Sequence, residues 1–326
     1  MEMSSEIYDC IVIGAGIQGS AGQKQFVLPH SRGSSHGQTR VIRKTYEEDF
    51  YVQMMQESYE LWAQLEREAG NGEGFSHLKA TMQRHKIPTV FLEKQEFSQH
   101  IPNVNLTDGN GALIDTHAGV LYADRALRAV QVNKIWLQTS LLKAPFTLSR
   151  EYGHFLVKIN VCYWKEKIPG TYSVGQRFPC FIEMESKEGE YDIYGLPSNE
   201  YPGLMKVSDR RDTEPDERDK QTDRGDIDIL VRYVTRCLPG LVPVPAVVES
   251  CMYMVTPDRN FVLDSHSTYG NTIIGAGFSG HGLKFGPIIG KLLSQLAMGQ
   301  VPSYDLSPFR IQRFMPDRHF ESKSIQ

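Results

Sequence analysis

The chain lacks paired cysteines, excess positive charge and long apolar runs, and each lack removes a class of protein. Its five cysteines, Cys10, Cys162, Cys180, Cys237 and Cys251, are odd in number and scattered, with no C-x-x-C pair. Neither a zinc site nor a disulfide framework is expected, no metal is called for, and a reducing compartment fits. The formal net charge of −4 and a pI of about 6.2 leave no basic footprint for nucleic acid and no polybasic patch for a membrane surface. No apolar run reaches the roughly 18 residues that spanning a bilayer takes. No basic-then-apolar leader opens the sequence, and its last residues, KSIQ, are not an S-K-L type peroxisomal address. What is present is a globular composition: 326 residues, 40% of them hydrophobic, enough for a sizeable core and two domains.

A further shortage lies inside a motif. Tyr8 to Ile13 has the pattern of a buried strand and runs into Gly14-Ala15-Gly16-Ile17-Gln18-Gly19, a G-x-G-x-x-G. In the dinucleotide fingerprint Gly14 would make the turn, Gly16 would admit the pyrophosphate and Gly19 would allow close helix–strand packing. A helix, a second strand and an acid roughly 20 positions on should follow. Residues 20–29 are too few for that, since a βαβ unit takes about 30 residues, and no Asp or Glu occurs between Asp9 and Glu47. Either other parts of the chain hold the adenosine end of a cofactor, or a segment has been lost and the nucleotide is bound poorly.

The most informative stretch is 271–290, NTIIGAGFSGHGLKFGPIIG, with the cysteine segment at 249–264 before it. Residues 271–275 read as a strand, Gly275, Gly277, Gly280 and Gly282 as a tight turn, and 283–296 as a helix. A helix N-terminus reached through glycines suits an anionic ring edge. Lys284 would sit in the first turn, where the dipole disfavours a cation, so it either faces an anion or is an ordinary solvated lysine. Arg40 and Arg43 are three apart; on a helical turn both project to one side, where guanidinium forks could hold a carboxylate, or they form a basic surface turn. Cys251 alone would be a small buried hydrophobe, and the other cysteines are structural.

Elsewhere the periodicities place a packing helix at 47–69 with a Tyr51, Met55, Tyr59, Trp62, Leu65 stripe, a helix at 93–100, a loop into a strand at 115–122 and a helical piece at 124–131. No period emerges over 132–150. Clean alternation at 154–161 puts Phe155, Val157, Ile159 and Val161 on one strand face. Strands are expected at 180–184, 191–194 and 204–207, the last two joined through turn-rich 197–203 in a hairpin that brings Tyr194 within reach of Lys206. The charge run 209–228 reads as a solvated loop and helix start, 229–237 as an amphipathic helix, and 239–245 as the lead into the cysteine segment.

The blocks GAGIQGS, LPHSRGSSHGQTRVIRKTYEEDFY, INVCYW, IYGLPSNEYPGLMKVS, ESCMYMVTPDRNFVLD, IIGAGFSGHGLKF and SYDLSPFRIQRF, over roughly two thirds of the chain, resemble the monomeric sarcosine oxidase family of flavin amine oxidases. The resemblance implies an α/β fold: an FAD-binding Rossmann-like domain of the glutathione-reductase type at 1–75 and 251–326, with a degenerate part at about 119–158, and a mixed-sheet α+β substrate domain at 76–118 and 159–250. It implies oxidation of secondary or cyclic amino acids, such as sarcosine and L-pipecolate, to the imine, with O2 taking up the electrons as hydrogen peroxide. It also implies a peroxisomal monomer. Residue by residue, Cys251 matches the cysteine bonded to the flavin 8α carbon through sulfur. Arg43 and Lys284 match the substrate carboxylate clamp, Arg40 a cation over the flavin face, and Lys206 the lysine at which O2 is activated. Tyr194 and Tyr253 match tyrosines that shape the pocket, and the turn Gly277-Phe278-Ser279-Gly280 faces the flavin pyrimidine edge.

Departures from the family pattern accompany these matches. The helix and strand after Gly19, strands between about 70 and 89, and the nucleotide-domain portion at about 132–158 have no counterpart. Asp209-Arg210-Arg211 stands where bacterial relatives carry an active-site histidine. A second reading is therefore an inactive truncated splice variant or gene model of such an oxidase. A nicotinamide-dependent dehydrogenase would leave the Cys251 segment without a role.

Overall fold

The computed structural model describes residues 39–44, 46–68, 90–101, 103–105, 111–115, 118–126, 155–183, 192–209, 224–266 and 269–314. Along the chain these form β1 (Thr39–Ile42), α1 (Asp49–Glu68), β2 (Val90–Glu93), α2 (Lys94–His100), β3 (Gly111–Ile114), β4 (Gly119–Tyr122), β5 (Phe155–Glu166), β6 (Phe181–Glu183) and β7 (Ile193–Tyr201). They continue with β8 (Leu204–Asp209), α3 (Gly225–Cys237), β9 (Leu241–Val255), β10 (Val262–Ser265), β11 (Ile273–Ala276) and α4 (Gly286–Ala297). The glycine fingerprint at Gly14, Gly16 and Gly19, the expectations at 70–89 and most of those at 119–158 fall outside the described residues.

The alternation that begins in FLVKINV persists through CYWKE, so β5 is twelve residues long. It lies between β8 and the fifteen-residue β9 in a five-stranded sheet ordered β6-β7-β8-β5-β9. The ladders are antiparallel, and a lone parallel bridge joins Ser173 to Ser198. Because side chains alternate between faces, Cys162, Trp164, Met205, Val207 and Ile193 share one face. There α3 covers them with Leu230, Tyr233, Val234 and Cys237, and together they form one buried core. The opposite face carries Val157 and Val161, both buried, with Tyr194, Lys206, Cys251 and Tyr253.

A second core forms around α1. Tyr51, Met54, Met55, Tyr59 and Trp62 recur at helical spacing, line one face and are buried against Ile288, Ile289 and Leu292 of α4 and the rings of Phe261, Phe285 and Phe309. Removing a buried Leu- or Phe-sized side chain from water contributes about 1.5–3 kcal/mol, so this stripe is what holds α1 in place. Lys291 and Glu57 join the two helices at 2.5 Å, but both are partly exposed and such pairs add little. Carboxyl-terminal to α4 the chain is clipped back: the Asp264 carboxylate accepts from Ile311 N at 3.0 Å, and the Arg313 fork donates to Asp258 at 2.7 and 3.2 Å.

Several local expectations change. β7 continues through Pro197 to Tyr201, leaving only Pro202 and Gly203 (φ 76°) as the turn. The ladder is irregular between Leu196 and Tyr201, and a proline, which has no N–H to give, is accommodated there. Arg40 lies within strand β1 and Arg43 just beyond it, so the helical spacing read for them does not apply. Asp209 is the buried last residue of β8. α3 begins at Gly225, earlier than expected, and Asp226 is buried where its carboxylate accepts from the Asn160 amide (3.3 Å) and Asn160 Nδ2 (2.8 Å). Residues 241–245 already belong to β9. Lys284 precedes α4, which starts at Gly286, because left-handed residues Gly277, Ser279 and Gly280 keep the chain turning before Pro287 can open the helix.

Candidate active site

Four of the residues singled out in the sequence come from the sheet face opposite α3. In the β7–β8 hairpin Leu196 pairs with Lys206 and Tyr194 with Ser208, which makes Tyr194 and Lys206 diagonal neighbours on that face. On β9, Cys251 stands opposite Ile159 and Tyr253 opposite Val157, two steps apart and so on the same side. Lys206 is buried opposite Tyr163, its ammonium 5.6 Å from the ring centroid. Tyr163 stacks edge-on with Tyr201 at 4.8 Å, and both hydroxyls donate to Glu249, at 3.4 and 3.0 Å. At that distance the ring's quadrupole attracts the ammonium.

The phenol of Tyr194 is pushed up to about 12, first by burial; Cys251 and Asp209 add to the rise, while the Ser208 hydroxyl and Arg40 oppose it. Arg40 on β1 and Cys251 on β9 are thus both close enough to act electrostatically on the Tyr194 phenol. Arg40 also donates from Nη1 to the Thr39 carbonyl at 2.8 Å. Ser208, fully buried, donates to the Asn160 carbonyl at 2.5 Å.

The glycine turn meets the end of β9. Ser279 N donates to the Met254 carbonyl at 3.0 Å, Ser279 Oγ accepts from Thr256 N at 3.2 Å, and Ser279 Oγ donates to the Gly277 carbonyl at 2.9 Å. These bonds hold Ser279 at φ 45° between Gly277 (φ 61°) and Gly280 (φ 81°), a conformation costing about 1–3 kcal/mol for a residue with a side chain. A side chain at Gly280 would meet the Tyr253 ring at 3.5 Å. Within the turn expected to face the flavin pyrimidine edge, the Ser279 amide is bonded to β9 and holds the turn against it.

Arg43 and Lys284, far apart in sequence, converge on one ring. The Arg43 guanidinium carbon lies 4.5 Å, and the Lys284 ammonium 5.8 Å, from the Tyr46 centroid. The Lys284 carbonyl accepts from Ser58 Oγ at 2.7 Å and Trp62 Nε1 at 3.0 Å, both on α1. His281 Nε2 lies 3.1 Å from the Arg259 carbonyl, and its ring packs against Tyr46, Tyr51 and Phe261. Sequence reasoning passed over Tyr46, Ser208 and Tyr163. Ser208 was open to discovery, since two residues beyond Lys206 on a strand means the same face, whereas Tyr46 and Tyr163 are marked only by their tertiary partners.

Comparison with known proteins fits this geometry. A family model described as FAD dependent oxidoreductase matches residues 164–296. The human protein named peroxisomal sarcosine oxidase is 42% identical over 384 aligned positions, covering 96% of this chain and 98% of that protein. The chain belongs to the sarcosine oxidase family. A more distant member, the monomeric sarcosine oxidase of an Arthrobacter species, is 28% identical and covers 94% of this chain and 96% of its own length. Among solved structures the open form of NikD, an unusual amino acid oxidase, superposes with a TM-score of 0.72 at 17% identity, covering 93% of this chain and 97% of its own. The L-proline dehydrogenase of P. horikoshii gives 0.70, also at 17%, covering 93% and 96%. Both show that the fold is shared. Sarcosine oxidase family membership makes this an FAD-dependent oxidoreductase of the amino acid-oxidising class, α/β in architecture.

The residues present fit the ring end of such a cofactor. One sheet face carries a half-buried thiol, Cys251, and the Lys206 ammonium, and a turn in which two of four residues lack a Cβ approaches it at Tyr253. A planar group can approach glycine backbone more closely than any side-chain-bearing backbone. The residues that would meet the adenosine end fall outside the described part of the chain.

Proposed function

We propose that the protein oxidises secondary and cyclic amino acids, sarcosine and L-pipecolate among them, to the corresponding imines with reduction of O2 to hydrogen peroxide. FAD, when bound, supplies the acceptor for the two electrons and the hydrogen removed from the C–N unit and passes the electrons to O2. The observation that carries this reading is the convergence of Arg43 and Lys284 on Tyr46; the turn residues next to that ring connect it to the sheet face, His281 stacking on Tyr46 and Gly280 approaching Tyr253.

In this reading Arg43 and Lys284 clamp the substrate carboxylate, the guanidinium with its fork and the ammonium as a point charge. Tyr194 and Tyr253 bound the space for the amine end. Lys206 holds a fixed positive charge where O2 accumulates negative charge, and a preset charge in a dry site costs no reorganisation when electrons arrive. Arg40, Cys251 (covalently, through its sulfur), Gly277, Phe278, Ser279 and Gly280, with Lys284, would hold the ring end of the cofactor. Gly14, Gly16 and Gly19 receive the pyrophosphate. The FAD domain comprises 1–75 and 251–326 with part of 119–158, and the substrate domain 76–118 and 159–250. The protein acts as a monomer on a small amino acid and O2, in the peroxisome, as the names of its relatives suggest.

The test is oxygen uptake with peroxide detection on the FAD-loaded protein. Equal amounts of oxygen consumed and peroxide formed with sarcosine or L-pipecolate support the reading; no uptake with either, at full flavin occupancy, refutes it. Two observations favour a second reading, that of an inactive truncated form binding FAD poorly: no acid lies between Asp9 and Glu47, and the alignment to the human relative needs 384 positions for a chain of 326 residues. Under that reading the protein emerges from gel filtration without flavin after incubation with FAD.

A further inference from the structure

Two cations brought to one place repel each other, so something must hold Arg43 and Lys284 together before a carboxylate arrives. Tyr46 is the ring both share, at 4.5 Å from the guanidinium carbon and 5.8 Å from the ammonium, inside the range over which an aromatic quadrupole attracts a cation. The ring is half-buried and bounded by other rings. It packs against Tyr51 at 5.3 Å, Phe285 at 5.4 Å and, stacked, His281 at 6.1 Å. Lys284 is tethered independently at its carbonyl by Ser58 and Trp62, so its ammonium leaves a fixed root and ends near the Tyr46 ring.

We propose that Tyr46 is a positioning residue whose aromatic face pre-assembles Arg43 and Lys284 as a pair, and so sets the affinity for the substrate's carboxylate. This rests on the reading of Arg43 and Lys284 as the carboxylate clamp. Tyr46 need not touch the substrate, and its hydroxyl is not required. Affinity is gained because neither cation has to be gathered when the ligand binds; the ordering cost is met in folding. The alternative is that Tyr46 only fills space in the α1 core, where any ring of its shape would serve.

The experiment separates these by changing the ring's electrostatics at constant shape. Tyr46 is replaced in the FAD-loaded protein by Phe, by pentafluorophenylalanine, whose quadrupole is reversed, and by Leu; binding of acetate and of its uncharged isostere acetamide is measured by ligand-detected NMR, with kcat and KM for sarcosine alongside. The Phe variant should match the parent. The pentafluoro variant should bind acetate about tenfold more weakly, with acetamide unchanged and the loss in turnover appearing in KM and not in kcat. The Leu variant should behave like the pentafluoro variant; if it does not fold, the fluorinated ring still decides. Acetate binding equal to the parent's in the pentafluoro variant overturns the proposal and leaves the clamp standing. A parent protein that does not prefer acetate to acetamide overturns the clamp and the proposal with it.

Discussion

Trp62 donates its indole N–H to the main-chain carbonyl of Lys284 at 3.0 Å, across 222 positions of sequence. Ser58, one helical turn earlier and fully buried, donates to the same oxygen at 2.7 Å. A helix chosen by its apolar stripe thus also fixes the backbone of a candidate site residue. Trp62→Phe keeps the ring and removes the donor, so it should cost about 1–1.5 kcal/mol, read from the denaturant midpoint. Ser58→Ala should cost a similar amount. The double variant should cost more than the two single losses together, because only there does the shared carbonyl lose both donors.

The sheet beneath the site depends on close packing at Gly195. A Cβ there would overlap the Phe181 ring on the neighbouring strand. Gly195→Ala should therefore destabilise by about 1–3 kcal/mol despite its better strand propensity, and Phe181→Leu in the same chain should recover part of the loss. Thermal unfolding of the parent and the two variants checks this.

Tyr194 stays protonated through neutral pH, its phenol being pushed up to about 12 by burial before all else. Tyr194→Phe should accordingly leave any activity limb below pH 10 where it stands. The linkage sign is that of a group whose folded value is raised. The associated stability is full below the ordinary value of 10.0 and is lost as pH climbs toward about 12. Across that window the parent should lose more stability than Tyr194→Phe, as measured by urea unfolding at a series of pH values.

Asp258 titrates the opposite way. Burial alone would raise its carboxyl, but the Arg313 side chain, the Asn260 amide and Thr256 hold it below 3.8. Its stabilising effect is therefore present at neutral pH and lost as pH falls below about 3.8. Arg313→Met should lower neutral-pH stability modestly, since the pair is partly exposed. The gap between parent and variant should close as acid protonates Asp258. A gap that is constant with pH would contradict the assignment.

Strand alternation carried much of this architecture in the sequence itself. It gave β5, the hairpin read through 197–203 made Tyr194 and Lys206 neighbours, and the Tyr51 to Trp62 stripe gave α1. What stayed hidden depended on distant partners. Asp209 and Asp226 sit at the edges of a charge run and read as solvated, yet both are buried, Asp226 because Asn160, 66 positions away, donates two hydrogen bonds to it. Arg40 and Arg43 suggested a helical turn because spacing alone cannot tell a turn from an extended strand whose partner, β4, lies about 80 positions on. Lys284 read as part of α4 because nothing local announces that Ser279 adopts a left-handed backbone; its stabilising contacts come from Met254 and Thr256.

The most direct test of the central claim is the visible absorbance of the purified protein, followed by acid denaturation and separation of free from protein-bound flavin. The account predicts a yellow protein whose colour stays with the denatured chain, and a Cys251→Ala variant that releases its flavin or takes up none. A parent protein that remains colourless after incubation with FAD, or one whose flavin is fully released by acid, would contradict it.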